Sequence, residues 1–373
     1  MTSSAPVKKA IIFYPHIGEY GGVERNILAL ATEVIRNGKL PVVVCFYDHI
    51  NLTKYLPGLK VVEINDHWNP FTKSLRIKRW LRVNKNEILG HPFFFGGKAG
   101  FYGAIFNNNY VLHYTDPPSL LSDQPKTVGV KNMAGLIRGR LSYMISRNGV
   151  QRAEACITMT NWNAKELEAL YGRSFDVIYQ GGLPPMGDIN QSRRLENSIL
   201  RIFSISRLTG SKNLDWILPV ALRLKNSVGA FNRIEVIIAG TGPLLEELRQ
   251  STEKMGLSDS ITFPGFLSDQ QVEDVYNNSD LFLVPARQWF VLPVLEALYR
   301  NVPVVINRES RISEILADNP WVAISDNNAE DFTNVVAEHI IRLRKSYPDS
   351  SKLNNLPTER GWAYEIGQKC AWW

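Results

Sequence analysis

The sequence predicts an α/β protein built from two parallel-sheet domains. Three observations carry this: short β-branched runs alternate with segments of helical period, several of those runs end in glycine turns that open a helix, and the chain has 373 residues, more than one ordinary core accommodates. The polar stretch Gly181–Asn197, which bears Pro and Gly, reads as the boundary. The domains are drawn at 1–184 and 185–356, with the tail 357–373 packing back on the first.

A hydrophobic content of 45% and a charged content of 21% belong to a globular chain rather than a disordered one. The apolar run Ala10–Tyr14 is too short for a signal-peptide core and no later segment approaches a membrane span. The expectation is a cytoplasmic protein, at the inner face of the membrane if it meets lipid. Cys45, Cys156 and Cys370 are odd in number and lack metal-like spacing, so they read as buried thiols. The net charge of +6 is uneven: residues 1–180 hold 22 Lys+Arg against 13 Asp+Glu, and the remainder 20 against 23. A basic half suits nucleic acid, an anionic membrane face or a phosphorylated acceptor, and composition does not choose among them.

In chain order, Lys8–Tyr14 is a strand that runs into Gly21 and Gly22 at the mouth of a helix. Val23, Ile27, Leu30, Ala31, Val34 and Ile35 keep helical spacing, and Gly38 stops it. Glycine lets backbone approach a ligand and the helix N-terminus favours an anion, although plain turns share the pattern. Leu40–Phe46 and Lys60–Ile64 are strands, the former almost continuously apolar, as in a sheet covered on both faces. In Trp68–Asn86, Lys73, Arg76, Lys78, Arg79, Arg82 and Lys85 interleave with Leu75, Ile77, Trp80, Leu81 and Val83. Such a helix fits an anionic bilayer interface or a plain solvated surface. Nucleic acid is disfavoured, because no helix-turn-helix, zinc or RNP-type pattern accompanies it. His91–Gly103, rich in glycine and aromatics, reads as a loop. Tyr110–His113 is a strand that ends on His113, where open α/β sheets place ligands; Asp116, before two prolines, reads as a turn former. A basic helix at Met133–Val150, a strand at Ala155–Met159, a helix capped at Thr160–Asn163 and a strand at Phe175–Tyr179 complete this half.

The second half opens with the strand Ile199–Ile205, then Ser206–Asn213 with Arg207 and Lys212, and a helix at Leu214–Lys225. Ile234–Ala239 leads into Gly240-Thr241-Gly242, and Ile261–Phe263 into Pro264–Leu267. No G-x-G-x-x-G occurs, which disfavours a nicotinamide enzyme. A helix at Asp269–Asn278 is capped at Ser268. The strand Asp280–Pro285, the helix Val291–Tyr299 and the strand Val302–Ile306 form a β-α-β unit whose helix mouth turns N–H groups to the crevice. Gln288 and Glu296, eight residues apart, can face one ligand there. Val322–Ser325, a helix at Asp331–Lys345, a loose Tyr347–Pro357 and the Trp-rich Trp362–Trp373 follow.

Three motifs resemble those of family-4-type retaining glycosyltransferases of the GT-B fold. Residues 288–297, Q-W-F-V-L-P-V-L-E-A, resemble the donor loop E-G-F-G-L-x-x-L-E-A; residues 206–213, S-R-L-T-G-S-K-N, resemble G-R-L-x-x-x-K-G; residues 21–24 read G-G-V-E for G-G-x-E. The resemblance spans nearly the whole chain and is strongest from Ile202 to Ile306. It implies two Rossmann-like domains facing across a deep cleft. It also implies roles: Arg207 and Lys212 grip the donor diphosphate, Glu296 holds the ribose, and Gln288 and His113 contact the transferred sugar. Gly21 and Gly22 face the sugar nucleotide, Gly240 and Gly242 line the donor site, Phe266 meets the base through backbone groups, and Phe290, Val291 and Leu292 form the helix mouth. The implied reaction is retaining transfer of a hexose from a nucleotide-sugar donor to a hydroxyl of a lipid-linked or polysaccharide-precursor glycan, without cofactor or metal, in keeping with the absence of Asp-x-Asp. Gln288 replaces an acid, Val291 a glycine, and Ser206 and Asn213 two more glycines. An amide bonds sugar hydroxyls but carries no charge, so a degenerate protein that binds sugar nucleotide or glycan without turnover stays open beside the enzyme.

Overall fold

The computed structural model describes residues 8–64, 70–104, 109–115, 133–187, 189, 195, 199–227, 231–287 and 290–373. The chain forms two compact units, Met1–Gln180 with Glu359–Trp373, and Gly181–Thr358.

The first unit is built on a parallel sheet ordered β5-β3-β1-β6-β7-β8-β9. Its strands are β1 (Lys9–Phe13), β3 (Leu40–Cys45), β5 (Lys60–Glu63), β6 (Phe93–Phe95), β7 (Val111–Tyr114), β8 (Ala155–Thr158) and β9 (Asp176–Val177). Just beyond β1 and β3, a two-residue strand β2 (His16–Ile17) pairs in parallel with β4 (Tyr47–Asp48). The nearly unbroken apolar runs follow from burial on both faces: Ala10, Ile12 and Val43 enter one layer, and Ile11, Phe13, Val42 and Val44 the other. Successive strands move outward from β1 through β3 to β5, then resume on its other side at β6. The topological switch point therefore lies between β1 and β6, beyond whose carboxyl ends α/β sheets hold ligands.

Helix α1 (Gly22–Arg36) covers the first layer with Ile27, Leu30, Ala31 and Val34. Helix α2 (Pro70–Val83) packs on the second through Ile77 and Leu81, while Leu75, Arg76, Arg79, Arg82 and Val83 are exposed. The expected loop at His91–Gly103 is corrected: it contains the central strand β6 and a buried helix α3 (Ala99–Gly103). A three-residue Phe run is too short to show a period, and its glycines serve packing. A Cβ on Gly149, within helix α4 (Met133–Arg152), would stand 1.9 Å from the Gly100 carbonyl oxygen, and one on Gly100 would stand 2.4 Å from the Tyr114 hydroxyl. Helix α5 (Asn161–Tyr171) is capped by Thr160, whose hydroxyl accepts the Asn163 N–H.

The second unit carries a parallel sheet ordered β12-β11-β10-β13-β14-β15. Its strands are β10 (Ile199–Ile205), β11 (Arg233–Ala239), β12 (Ile261–Thr262), β13 (Leu281–Val284), β14 (Val304–Asn307) and β15 (Val322–Ser325). Helices α6 (Ile217–Asn226), α7 (Leu245–Lys254), α8 (Asp269–Asn278), α9 (Leu292–Tyr299) and α10 (Ser313–Leu316) connect them, and α11 (Ala329–Lys345) follows β15. The order reverses between β10 and β13, which is this sheet's own switch point.

The last helix, α12 (Glu359–Lys369), belongs to the first unit. Trp362, Ile366, Cys370 and Trp372 join the core under α1. Arg360 pairs with Glu33 at 3.4 Å, the Trp372 indole N–H donates to the His91 carbonyl at 3.1 Å, and the His91 N–H donates to that of Cys370 at 2.7 Å. Gly90 takes a left-handed φ of +53° there, and a Cβ would lie 2.1 Å from the Cys370 carbonyl oxygen. All three cysteines are buried free thiols. Among the described residues no helix is long and apolar enough to cross a membrane, and no His/Cys/Asp/Glu group has the form of a metal site.

Candidate functional site

Four loops gather at the carboxyl edge of the second sheet, around the reversal between β10 and β13. The loop after β10 turns through a short 3-10 segment, Gly210–Lys212, and closes on Asn213 in the left-handed region (φ 49°, ψ 39°). Asn is among the few residues that tolerate that region, and its amide does further work: Nδ2 donates to the Pro285 carbonyl at 3.1 Å. The Arg287 N–H donates to Ser211 at 3.0 Å. The loop bearing Arg207 and Lys212 is thus fastened to the segment that leads into α9.

Lys212 is 7% exposed, whereas Arg207 is exposed. Burial, and secondarily the Arg207 charge, lower the Lys212 amine from 10.5 to about 8. A desolvated ammonium beside a guanidinium is a place an anion stabilises. The sign of the linkage is definite: with its folded value depressed, Lys212 binds fewer protons folded than unfolded between about pH 8 and 10.5, so its contribution makes stability rise across that window. A diphosphate bound here restores the charged form. Binding of a nucleoside diphosphate at pH 8.5 is therefore expected to take up protons, seen as a dependence of calorimetric heat on buffer ionisation enthalpy. Proton-neutral binding, or uptake unchanged in Lys212→Met, would contradict contact with this amine.

Gly240 and Gly242 have φ of +127° and +158°, and a Cβ on them would meet the Ser206 oxygen at 1.8 Å and the Leu208 oxygen at 2.3 Å. These glycines press the β11 turn onto the cation loop, which the Leu208 N–H secures by donating to Thr241 at 2.9 Å. Next to them the Gly240 N–H donates to the Gly265 carbonyl at 2.8 Å, and this turn presents Phe266, 81% exposed.

At the helix mouth Val291 is the buried N-cap residue and the helix itself begins at Leu292, one residue later than expected. Phe290 precedes it, half-buried, and Gln288 and Trp289 lie outside the described residues. Pro293 brings no N–H and the Val294 N–H donates to Val291 at 3.1 Å, which leaves the Leu292 amide for an anion among the described residues. Glu296, 6% exposed, sits a turn inside. One carboxylate oxygen accepts the Leu183 N–H at 3.3 Å and the other the Tyr276 hydroxyl at 3.1 Å.

Sequence reasoning missed the group beneath Glu296. Arg300 forks onto Glu273, Nε to Oε1 at 3.0 Å and Nη2 to Oε2 at 2.6 Å. It also donates to the carbonyls of Glu296 (2.8 Å), Leu183 (3.3 Å) and Pro184 (3.1 Å), and it lies 4.8 Å from the Tyr276 ring centre. The Gly182 N–H donates to the Tyr299 hydroxyl at 3.2 Å. The segment entering the unit is clamped onto α9. The available signal was an Arg four residues after Glu296, at the C-cap of a largely apolar helix.

In the first unit, Gly21 caps α1 and Gly22 is its first residue. The Gly21 N–H donates to the Glu24 carboxylate at 3.1 Å, so that acid caps the helix; burial raises its pKa. The expected placement of His113 at a strand end is corrected. β7 continues through Tyr114, His113 pairs with Phe95 and Ile157 inside the sheet, and its ring is 0% exposed among Phe93, Phe95 and Trp362. Burial lowers it to about 3, a neutral imidazole with no surface for a sugar in this conformation.

Residues 188–353 match the family described as glycosyl transferases group 1. The chain is 30% identical over 287 residues to the putative colanic acid biosynthesis glycosyltransferase WcaL of Escherichia coli, covering 69% of this chain and 66% of that protein. The chain thus spans just under two thirds of WcaL's length. Among solved structures it is similar to a glycosyltransferase from Rickettsia africae (TM-score 0.72, 14% identity, 98% of each chain) and to Anabaena HepE in complex with UDP (TM-score 0.71, 16% identity, 97% of this chain and 98% of that one). With two Rossmann-like parallel-sheet units the chain has the GT-B fold, and its second unit carries the match to the group 1 glycosyltransferases.

Proposed function

We propose that the protein is a retaining glycosyltransferase that moves a hexose from a nucleotide-diphosphate sugar to a hydroxyl of a lipid-linked or polysaccharide-precursor glycan, without a metal ion. The observation that carries the reading is Lys212: a buried amine with a lowered pKa, beside Arg207, on a loop fastened to the segment leading into α9. Departure of the donor leaves negative charge on a diphosphate and positive character on the sugar ring, so fixed positive partners aimed at the phosphates speed the step. Lys212, Arg207 and the Leu292 amide fill that role. A departing phosphate oxygen takes the acceptor proton on the face it leaves, which retains the configuration and requires no enzymic nucleophile. Gln288 orients the sugar and Glu296 the ribose; His113, sealed beneath Trp362, acts as support for the edge between β6 and β7. The WcaL name supports a polysaccharide precursor, and the HepE complex supports a nucleotide donor. Contact with an anionic membrane is assigned to α2 through exposed Arg76, Arg79, Arg82, Leu75 and Val83, since basic residues mixed with apolar ones suit the headgroup region.

The test is a thermal-shift screen of UDP-, GDP- and ADP-sugars, where a ligand of the folded state raises the melting point, followed by turnover on lipid-linked acceptors with the product anomer read by NMR. A stabilising donor and an axial or equatorial linkage matching that of the donor are expected. Binding with no turnover would favour a degenerate binding protein, and an inverted product would remove the retaining assignment.

A further inference from the structure

The first sheet has a switch point of its own, and a set of basic side chains surrounds it that the donor chemistry does not use. Three neighbouring strands, ordered β3-β1-β6, deliver them from their carboxyl ends. β1 runs on to His16, β3 to Phe46, Tyr47 and His49, and β6 to Lys98 at the start of α3. Lys73 arrives from α2, its Nζ 4.9 Å from the Phe46 ring centre and 5.6 Å from that of Tyr47. The His16 ring stacks on Tyr47 at 5.7 Å and 22°, and Tyr47 on His49 at 6.0 Å and 7°. One tyrosine ring thus holds two imidazoles and an ammonium together, and His16, His49 and Lys98 are exposed. Asp48, the acid within this segment, turns a carboxylate oxygen to the Leu52 N–H at 2.8 Å.

We propose that His16, His49, Lys73 and Lys98 form an anion subsite that takes a phosphate group carried by the acceptor. The inference rests on the glycosyltransferase reading for the word acceptor, and on the cluster itself for the anion. Burial first, then the neighbouring Lys73, Lys98 and His49, lower the pKa of His16. Two ammonium groups beside these imidazoles at a ligand-binding edge disfavour a further positive charge until an anion joins them. A neutral glycan would relieve none of that repulsion. The ring stack and the position of Lys73 over Tyr47 also fix the groups before the ligand arrives, which reduces the ordering cost of binding.

Imidazole C2–H proton NMR reads the site without turnover, with His16→Gln and His49→Gln assigning the resonances among the six histidines. Inorganic phosphate is expected to raise the His16 midpoint by about one pH unit, and the Lys73→Met/Lys98→Met variant is expected to lose that shift while Lys212→Met keeps it. A His16 midpoint that phosphate leaves in place, or moves equally in the double variant, overturns the proposal. Sedimentation with phosphatidylglycerol vesicles forms a second arm: vesicle binding that needs Lys73 and Lys98 while phosphate moves no imidazole assigns the cluster to a membrane surface and also overturns it. In turnover, the double variant should raise KM for a phosphorylated acceptor about tenfold, as loss of two partly exposed charges implies, and leave a neutral acceptor unaffected. Absence of any glycosyl transfer would remove the function proposed above and leave the phosphate titration standing.

Discussion

Lys212→Met is expected to lower kcat/KM by about 10²- to 10³-fold, the usual loss when one preorganised partner of a developing anion is removed, while leaving the fold intact or firmer. Both halves of the expectation come from the same burial. The amine sits 7% exposed with its pKa lowered to about 8 by desolvation and the Arg207 charge, so at pH 7 the folded state carries a charge it holds at a disadvantage. An unbranched apolar side chain of similar length fills the space and removes that disadvantage. The melting temperature at pH 7 should equal or exceed that of the parent protein, and the stability gain on raising pH from 8 to 10.5 should disappear. Arg207→Ala, which removes an exposed partner, should cost less. Turnover within threefold of the parent for Lys212→Met would exclude Lys212 from the phosphate contact.

Arg300→Met carries the largest expected effect on stability. The guanidinium and Glu273 are both nearly inaccessible, and removal of one member leaves a buried charge without a partner, at about 3–5 kcal/mol. The carbonyls of Leu183, Pro184 and Glu296 lose a donor as well. Replacing both members, Arg300→Met with Glu273→Leu, should recover most of the loss, because a buried pair exchanged for packed apolar groups is often close to neutral. Urea unfolding midpoints measure both. A single variant within about 0.5 kcal/mol of the parent, a typical surface effect, would show that this network does not hold α9 in place.

The two variants also mark what was readable in the sequence. Nearly every strand of the two main sheets was legible because parallel strands buried on both faces leave largely apolar runs, as in Leu40–Cys45 and Ile199–Ile205. β6 was not, since three phenylalanines carry no period and the glycines around them look like a loop until Gly149 is seen against Gly100. Of the site, the cation loop was legible through its spacing, and Asn213 in a glycine position becomes intelligible only with its left-handed backbone and its bond to Pro285. His113 shows the reverse error: a strand one residue longer than expected carries the ring into the core. Arg300 and the ring stack on Tyr47 were invisible because each is assembled from segments distant in sequence.

The C-terminal helix adds a constraint of timing. Since Trp362, Ile366 and Trp372 complete the hydrophobic layer beneath α1, the half made first by the ribosome stays unfinished until residues 362–372 have been made. The first unit therefore waits on residues made after the whole of the second, and a nascent chain arrested shortly before codon 359 would expose an apolar groove of the kind chaperones recognise.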